Sequence, residues 1–284
     1  GAKFSAKLIN YLYGINTMAL YPRDLYYRNN NSVDSVFLFS YSGTTNDLLV
    51  GTSKILNNKY IITKGELQKV VTKTGISKNN VISYRTGTNK GKERGFLSFE
   101  GALAPASIFL KLYFEKKLRN NIEEFISDSI NYWKNYFGKY FKENKKMLKE
   151  FLKEGNSFNI FTGDFTESAG SDLESKIIES GIYDCLIHEK KNFSHGRFIN
   201  YEHLSNKKNI YFKQKTTSLY EEKLLEKDQN LIIESRYDGI LCEYDLLISS
   251  QYLIYYISNF LNIDISKPTY NEAAMKIYFY KGEL

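Results

Sequence analysis

Short apolar runs separated by segments of helical spacing organise the first half of the chain. Residues 36–39, 60–63 and 81–84 are rich in β-branched and aromatic side chains, which is typical of strands. Between them, 46–56 and 66–74 have the spacing of helices. The run at 36–39 is apolar without interruption, as expected for a strand covered on both faces. The β-α-β-α-β order therefore predicts a parallel sheet with helices on both sides.

The second half repeats this pattern after a long helical stretch. Residues 100–118 are apolar at helical spacing, and 118–155 is a charged and aromatic stretch that predicts one or two helices and no strand. The elements predicted beyond it are a strand and turn at 158–163, strands at 183–188 and 230–234, and helices at 171–180 and 244–260. We therefore predict an α/β protein whose two halves are joined near 120–156.

Composition and charge remove several classes of protein. The chain is 42% hydrophobic and 25% charged, which is typical of a folded protein rather than a disordered one. Its formal net charge of +7 would favour nucleic acid if the basic residues formed one stripe. The densest basic group is short, namely Lys207, Lys208, Lys213 and Lys215, and acidic residues are interspersed elsewhere. We therefore expect a solvated lysine-rich surface and no nucleic-acid partner.

The cysteines and the longest uncharged stretch exclude other classes. Cys185 and Cys242 form no C-x-x-C motif, so the sequence supports neither a zinc ribbon nor a disulfide framework. The uncharged stretch 246–263 is interrupted by Ser249, Ser250 and Gln251, which favours a buried helix over a membrane span. We expect a cytoplasmic protein without membrane contact.

A hydroxyl-rich turn is the first candidate site. Residues 40–45 follow the strand predicted at 36–39, and ligands of open parallel sheets bind beyond the carboxyl ends of the strands. Hydroxyl groups, a glycine and the start of a helix favour a bound phosphate. An ordinary turn capped by Ser42 or Thr45 accounts for the same residues. Both interpretations are open from the residues alone.

The string SYSGTTND at 40–47 resembles the phosphate loop of the sugar isomerase (SIS) domain family. The likeness is closest to the isomerase half of glucosamine-6-phosphate synthases and to related sugar-phosphate deaminases and deglycases. It implies an α/β fold of two SIS-type three-layer αβα subdomains with parallel sheets. It also implies that Ser40, Ser42, Thr45 and the backbone of Tyr41 hold a sugar phosphate.

Other segments of the first half extend this resemblance. Residues 1–6 look like the turn after the family's first strand, which would place that strand upstream of Gly1, and 21–28 look like a later family segment. The pattern Glu93-x-Gly95-x-x-Ser98 implies a substrate contact by Ser98. It is followed by Phe99-Glu100, where the family has Thr-Lys.

In the second half, a Lys-x-x-Glu pair precedes a His-Gly dipeptide. Aldose–ketose isomerisation needs a carboxylate base near C1 and C2 and a group that opens the ring, and Glu and His suit these tasks. Taken singly, Lys176 and Glu179 would be a solvated ion pair and His195 a structural histidine. Together they resemble the family's catalytic helix and following loop. The resemblance implies Glu179 as base, Lys176 as its electrostatic partner and His195 as ring-opening acid/base. Arg197 stands where the family commonly has Pro, and its charge would add a contact to an anion.

The C-terminal segment fits the same family. Residues 262–268 resemble its Asp-x-x-x-Pro tail, which implies Lys276 as an active-site lysine. The expected segments are a first SIS subdomain at 1–125, a helical connection at 126–156 and a second SIS subdomain at 157–284. The resemblance further implies a homodimer that needs neither a metal nor another cofactor.

Two classes of function fit these motifs best, although the hydroxyl loop taken alone is also compatible with a nucleotide or nucleotide-sugar ligand. The first is an enzyme acting on a sugar phosphate, as an aldose–ketose isomerase, an amino-sugar-phosphate deaminase or a deglycase that releases an amine. The second is a non-catalytic sensor that binds a sugar phosphate through Ser40, Ser42 and Thr45. The Glu179 and His195 pair favours the enzyme.

Overall fold

The computed structural model of the protein describes residues 1–27, 35–53, 58–84, 97, 99–116, 121–199, 207–216, 230–268, 272–273 and 276. Within these ranges the chain forms two compact units. The first comprises Gly1–Arg94, Glu100–Phe114 and the described residues of 270–284, and the second comprises Gly95–Phe99 and Glu115–Thr269. These units have different boundaries from the expected segments, because the helical stretch at 126–156 lies within the second unit.

The first unit contains a parallel three-stranded sheet. Its helices are α1 (Ala2–Tyr13), α2 (Pro22–Tyr27), α3 (Asn46–Ser53), α4 (Leu67–Thr74) and α5 (Glu100–Phe109), and its strands are β1 (Ser35–Phe39), β2 (Asn58–Thr63) and β3 (Val81–Ser83). A 3₁₀ turn, Lys78–Asn80, precedes β3, and a π-helical turn, Leu110–Glu115, continues α5. The strands are parallel in the order β1-β2-β3. The β-α-β-α-β prediction is confirmed.

Apolar side chains cover both faces of β1, as its uninterrupted run predicts. One face belongs to a buried cluster formed by Leu25, Leu38, Leu48, Ile61, Val70 and Ile76. On the opposite face, Phe37 and Phe39 pack against Phe109 of α5 with ring centroids 5.1 and 5.3 Å apart. Helices therefore cover the sheet on both sides at the strand that leads into the hydroxyl-rich turn.

Helix α1 differs from the turn expected at 1–6. The helix begins at Ala2, and the Ser5 N–H donates to the Gly1 carbonyl at 3.0 Å. Phe4 and Leu8 are fully buried, one turn apart on the same face. An apolar stripe at this spacing is typical of an amphipathic helix, so the apolar spacing is a better guide here than the resemblance.

The second unit contains a parallel four-stranded sheet in the order β5-β4-β6-β7. Its strands are β4 (Ser157–Thr162), β5 (Asp184–Glu189), β6 (Lys207–Lys213) and β7 (Asn230–Glu234). Its helices are α6 (Ile122–Glu143), α7 (Lys145–Phe151), α8 (Glu167–Ser180) and α9 (Gly239–Leu261). A helical turn, Lys190–Asn192, and a π-helical turn, Phe193–Arg197, follow β5. The predicted elements of this half are all present, with α8 and α9 beginning earlier than expected.

Strand β6 lies where the sequence predicted only a solvated lysine group. Ile210 and Phe212 are fully buried, whereas Lys207 and Lys208 at its start are partly buried. Lys213 at its end forms a 2.9 Å ion pair with Glu234 of β7. The lysines flank a buried core strand, so their spacing along the chain concealed the apolar run between them.

Helix α9 accommodates the long uncharged stretch. Leu246, Leu253 and Ile254 are fully buried, and α9 packs on both α6 and α8, which confirms the prediction of a buried helix. Asp245 is also buried, and its carboxylate accepts hydrogen bonds from Trp133 Nε1 at 3.0 Å and Ser235 Oγ at 2.8 Å. Across the described ranges, no helix combines the length and the hydropathy needed to cross a membrane.

Amide side chains form a row across the second sheet. Asn159 Nδ2 donates to Asn209 Oδ1 at 3.3 Å, and Asn209 Nδ2 donates to Asn230 Oδ1 at 2.7 Å. The row ends at His188, whose Nε2 lies 2.9 Å from Asn159 Oδ1. Because Asn159 presents its oxygen to the imidazole, the neutral ring carries its proton on Nε2. The His188 Nδ1 is buried and has no hydrogen-bond partner among the described residues.

Acidification is expected to destabilise the protein through His188. Burial, and secondarily the charges of Arg197 and Lys207, lowers the pKa of His188 to about 4, from about 6.5 in the unfolded chain. The folded state then binds fewer protons, so the free energy of unfolding is highest above pH 6.5. The contribution of His188 to the free energy of unfolding falls by about 3 kcal/mol as the pH drops from about 6.5 to about 4. Urea unfolding at a series of pH values measures this loss.

The matched variant is His188→Gln, which removes the titrating group. Its free energy of unfolding should depend less on pH than that of the wild type between about pH 6.5 and 4. If both proteins lose stability in parallel over that interval, His188 is not the group responsible.

Candidate functional site

The hydroxyl-rich turn lies at the carboxyl end of β1 and leads into α3. Gly43, at its centre, is buried and has a φ of +70°. A Cβ at this position would lie 2.6 Å from Val70 Cγ2 and 2.9 Å from Thr63 Oγ1. Both the backbone conformation and the close approach therefore require glycine here.

The serine hydroxyls order the turn. Ser40 Oγ accepts from the Gly43 N–H at 3.1 Å, and Ser42 Oγ accepts from the Thr44 N–H at 3.3 Å. Each hydroxyl still has its own proton to donate. Ser42 and Thr45 are exposed, and the Thr45 carbonyl accepts the Leu49 N–H of α3 at 3.1 Å. The turn thus places hydroxyl donors together at the N-terminus of a helix, where anions are favoured.

An ion pair adjoins this turn, and only one of its members was singled out from the sequence. Lys64 Nζ lies 2.6 Å from Glu100 Oε2, and the Lys64 Nζ is 5.4 Å from the centre of the Tyr41 ring. Its hydrogen bond to Glu100 raises the pKa of Lys64. Glu100 stands where the family pattern has Lys. The signal for Lys64 is its place directly after the predicted strand at 60–63.

In the second unit, Lys176 is ion-paired with Asp172 of the same helix, which corrects its expected pairing with Glu179. The Lys176 ammonium also lies 5.4 Å from the centre of the Phe99 ring. Ser250 Oγ and Gln251 Nε2, both from α9, donate to Asp172 Oδ2 at 2.8 and 2.5 Å. The physical reason is burial, because Lys176 is only 4% exposed and Asp172 is the carboxylate that shares its buried position.

Glu179 lies near the end of α8 and is exposed. Its Oε1 accepts a hydrogen bond from Ser175 Oγ at 2.6 Å. A carboxylate in this position is accessible to a ligand and is oriented by one neighbouring hydroxyl. Apart from their spacing on the helix, nothing in the sequence distinguishes Ser175 or Asp172.

The predicted acid/base histidine lies in the π-helical turn after β5. His195 and Arg197 are both exposed, and Gly196 between them has a φ of +112°. Their side chains are therefore accessible, as ligand-binding groups must be. Of the two histidines in the described ranges, His188 and His195, the buried one is His188, which the sequence pattern does not distinguish.

The remaining predicted residues are less informative. Lys276 is exposed. Ser98 lies outside the described residues. The turn at 40–45 belongs to the first unit, and Lys176, Glu179 and the segment 195–197 belong to the second.

The strand-to-helix turn of the second unit is built differently from that of the first. It runs from β4 to α8, and its Gly163 N–H donates to Thr166 Oγ1 at 2.8 Å. At the start of α8, the Ser168 N–H donates to Glu243 Oε1 of α9 at 2.6 Å. Glu243 is fully buried. A carboxylate of the chain itself therefore occupies the N-terminus of this helix.

The two cysteines and the acidic residues do not form a metal centre in the part of the chain that is described. There, no group of three or more His, Cys, Asp or Glu side chains could hold a metal ion. Cys185 and Cys242 are buried free thiols, and burial raises the pKa of Cys185 to about 12. A thiol with such a pKa is a poor nucleophile at neutral pH.

Comparison with known proteins identifies the fold. No family model and no curated protein matches the sequence. Among solved structures, glucosamine-6-phosphate deaminase from Thermotoga maritima has a TM-score of 0.68 at 16% identity, covering 96% of this chain and 87% of its own. The C-terminal domain of glucosamine-fructose-6-phosphate aminotransferase from Francisella tularensis has a TM-score of 0.63 at 16% identity, covering 94% and 83%.

A third structure with an isomerase activity has the same fold. Tagatose-6-phosphate ketose/aldose isomerase from Escherichia coli has a TM-score of 0.60 at 13% identity, covering 88% of this chain and 79% of its own. These likenesses extend over most of each chain and include parallel sheets flanked by helices. The chain therefore has the sugar isomerase (SIS) type of fold that its loop and helix motifs predict.

Proposed function

We propose that this protein binds a sugar phosphate and catalyses proton transfer between neighbouring carbons of the sugar. The observation that carries the proposal is the turn at 40–45. Its serine hydroxyls, the Tyr41 backbone and Thr45 lie at a helix N-terminus beyond a parallel strand, which is a favourable place for a phosphate. The phosphosugar enzymes that share the fold support the same class of ligand.

In this proposal Glu179 is the base. Its exposed carboxylate removes a proton from C1 or C2 of the open-chain sugar and returns it to the neighbouring carbon, while a proton passes between O1 and O2 through solvent; together these transfers interconvert ketose and aldose. His195 moves the proton of the ring oxygen when the ring opens. In a deaminase or deglycase, the same proton transfer precedes loss of an amine, and His195 or a water protonates the leaving nitrogen.

The other predicted residues have supporting roles in the proposal. Lys176, held by Asp172, supplies a fixed positive charge on the helix that carries Glu179. Ser98 and Arg197 contact the substrate, and Lys276 contributes an ammonium to the active site. No metal or other cofactor is required, because a carboxylate and an imidazole supply the acid/base chemistry.

A sugar-phosphate sensor is the second candidate. The observation that favours it is the environment of Glu179, which is exposed and has Ser175 as its hydrogen-bond donor. A surface carboxylate without a catalytic role has the same environment. A sensor needs only the loop, and it predicts binding without chemistry.

The first experiment separates these candidates. The protein is incubated in deuterated water with fructose-6-phosphate, glucosamine-6-phosphate and amine-linked fructose-6-phosphates, and NMR follows deuterium at C1 and C2 together with ammonia release. Deuterium uptake supports the enzyme, and the substrate that exchanges identifies the branch. Binding without exchange supports the sensor, and absence of binding contradicts the proposal.

The loop itself is tested by Ser42→Ala. Loss of a hydroxyl that donates to a charged phosphate should weaken sugar-phosphate binding by about 10–100-fold, as measured by calorimetry. Ser53→Ala is the matched control, because Ser53 Oγ donates to the Val50 carbonyl at the far end of α3. Equal affinities of Ser42→Ala and wild type would show that the phosphate binds elsewhere.

A further inference from the structure

The end of β2 and the residue after it are hydrogen-bonded to the candidate phosphate loop. The Tyr41 carbonyl accepts two hydrogen bonds, one from the Lys64 N–H and one from Thr63 Oγ1, both at 3.1 Å. The next residue, Gly65, lies so close to the loop that a Cβ there would be 2.1 Å from the Ser42 carbonyl oxygen. The backbone of Lys64 is therefore fixed against Tyr41 and Ser42.

The side chain of Lys64 is held at the same place. Its ammonium lies between the Glu100 carboxylate, at 2.6 Å, and the Tyr41 ring, at 5.4 Å from the ring centre. Both side chains of the ion pair are only 15% exposed. Glu100 is the first residue of α5, where the helix dipole favours a carboxylate. The hydrogen bond to Glu100 raises the pKa of Lys64, so the ammonium stays charged at neutral pH.

The loop supplies no cation of its own. Residues 40–45 read SYSGTT, so their contribution to anion binding consists of hydroxyl groups and backbone dipoles. A phosphate monoester carries nearly two negative charges at neutral pH. Lys64 is the first basic residue after β2, and its ammonium lies beside the Tyr41 ring. The Glu100 carboxylate already pairs with this charge.

We propose that Lys64 and Glu100 set the affinity of the loop for phosphate, with Lys64 attracting the phosphate and Glu100 competing with it for the ammonium. This inference rests on the proposed function, because it assumes that the loop holds a phosphate. A phosphate that binds at the loop is attracted by the Lys64 ammonium. The Glu100 carboxylate weakens this attraction because it partly neutralises the ammonium. The pair therefore selects for ligands with a strongly charged phosphate over neutral sugars.

The two members of the pair should act in opposite directions. Lys64→Met removes the cation and leaves the Glu100 carboxylate to repel the ligand, so the affinity for fructose-6-phosphate should fall by about 10–100-fold. Glu100→Gln removes the competitor, so the affinity should rise several-fold. If the pair only maintained the fold, both substitutions would weaken binding or leave it unchanged.

The experiment is a calorimetric titration of the full chain with fructose-6-phosphate, glucosamine-6-phosphate and unphosphorylated fructose at low and raised ionic strength. Lys69→Met is the matched control for net charge, because Lys69 is an exposed residue of α4. The double variant Lys64→Met/Glu100→Gln avoids an unpaired carboxylate. It should fold as the wild type does and still bind weakly, with a reduced dependence on salt.

Two failures have different meanings. If the wild type binds a sugar phosphate but Lys64→Met or the double variant binds equally well, or Glu100→Gln binds no more tightly than the wild type, the inference is wrong and the proposed function stands. If the wild type binds neither sugar phosphate, the proposed function is wrong and the inference falls with it.

Discussion

Replacement of Glu179 by glutamine is expected to slow deuterium exchange at C1 and C2 of the sugar phosphate by about 10²–10⁴-fold. The amide keeps the size of the side chain and can still accept the 2.6 Å hydrogen bond from Ser175, but it cannot take a proton from carbon. Because Glu179 is exposed, the substitution should leave the fold intact. The affinity for sugar phosphate should be close to that of the wild type, since the proposed phosphate contacts lie in the loop at 40–45.

The matched control for this variant is Glu174→Gln. Glu174 lies on the same helix, α8, and has no role in the proposed chemistry. Exchange that persists in Glu179→Gln at the wild-type rate would remove Glu179 as the base. Equal losses in both variants would indicate a general effect of charge on the helix rather than proton transfer by one residue.

The largest expected effect on stability comes from Asp172. Asp172→Ala leaves the Lys176 ammonium buried without its carboxylate, and it also removes the acceptor of Ser250 and Gln251. Loss of one partner of a buried ion pair typically costs about 3–5 kcal/mol of unfolding free energy. Chemical denaturation measured by circular dichroism gives this difference directly.

A double variant tests whether the unpaired charge is the cause. Asp172→Ala/Lys176→Met removes the ammonium as well, and should recover a substantial part of the lost free energy of unfolding. If the double variant is as unstable as Asp172→Ala, the loss reflects the contacts with Ser250 and Gln251 rather than the charge of Lys176.

The architecture of both sheets could be predicted where apolar runs are uninterrupted. β1 and β2 contain short apolar runs bounded by turns, and their burial follows from that pattern. In β4 only Asn159 interrupts the apolar residues, and its side chain joins the amide row across the sheet. β6 escaped prediction because lysines flank its apolar residues, and lysine stems can lie along a strand while their charges reach solvent. The resemblance of residues 1–6 to a turn does not predict α1, whereas the spacing of Phe4 and Leu8 on one face is that of a helix.

The candidate site was predictable only where its residues are close in sequence. The turn at 40–45 is contiguous, so its hydroxyl groups could be recognised together. The partners of Lys64 and Asp172 lie far along the chain, in α5 and α9 respectively, and folding alone brings them together. The choice of Asp172 over Glu179 as the partner of Lys176 depends on burial, which the spacing of residues on one helix does not determine.

Because of the buried Glu243, the helix that follows the first strand of each sheet differs between the two units in its ability to bind a dissolved anion. A carboxylate that is covalently part of the chain is present at α8 at a high and constant effective concentration, so no dissolved anion competes with it on equal terms. The corresponding helix start in the first unit, at α3, has exposed hydroxyls and must take its anion from solution. Added sugar phosphate is therefore expected to protect the first unit against heat and proteolysis by mass action, whereas the N-terminus of α8 carries its anion permanently and should bind no phosphate of its own.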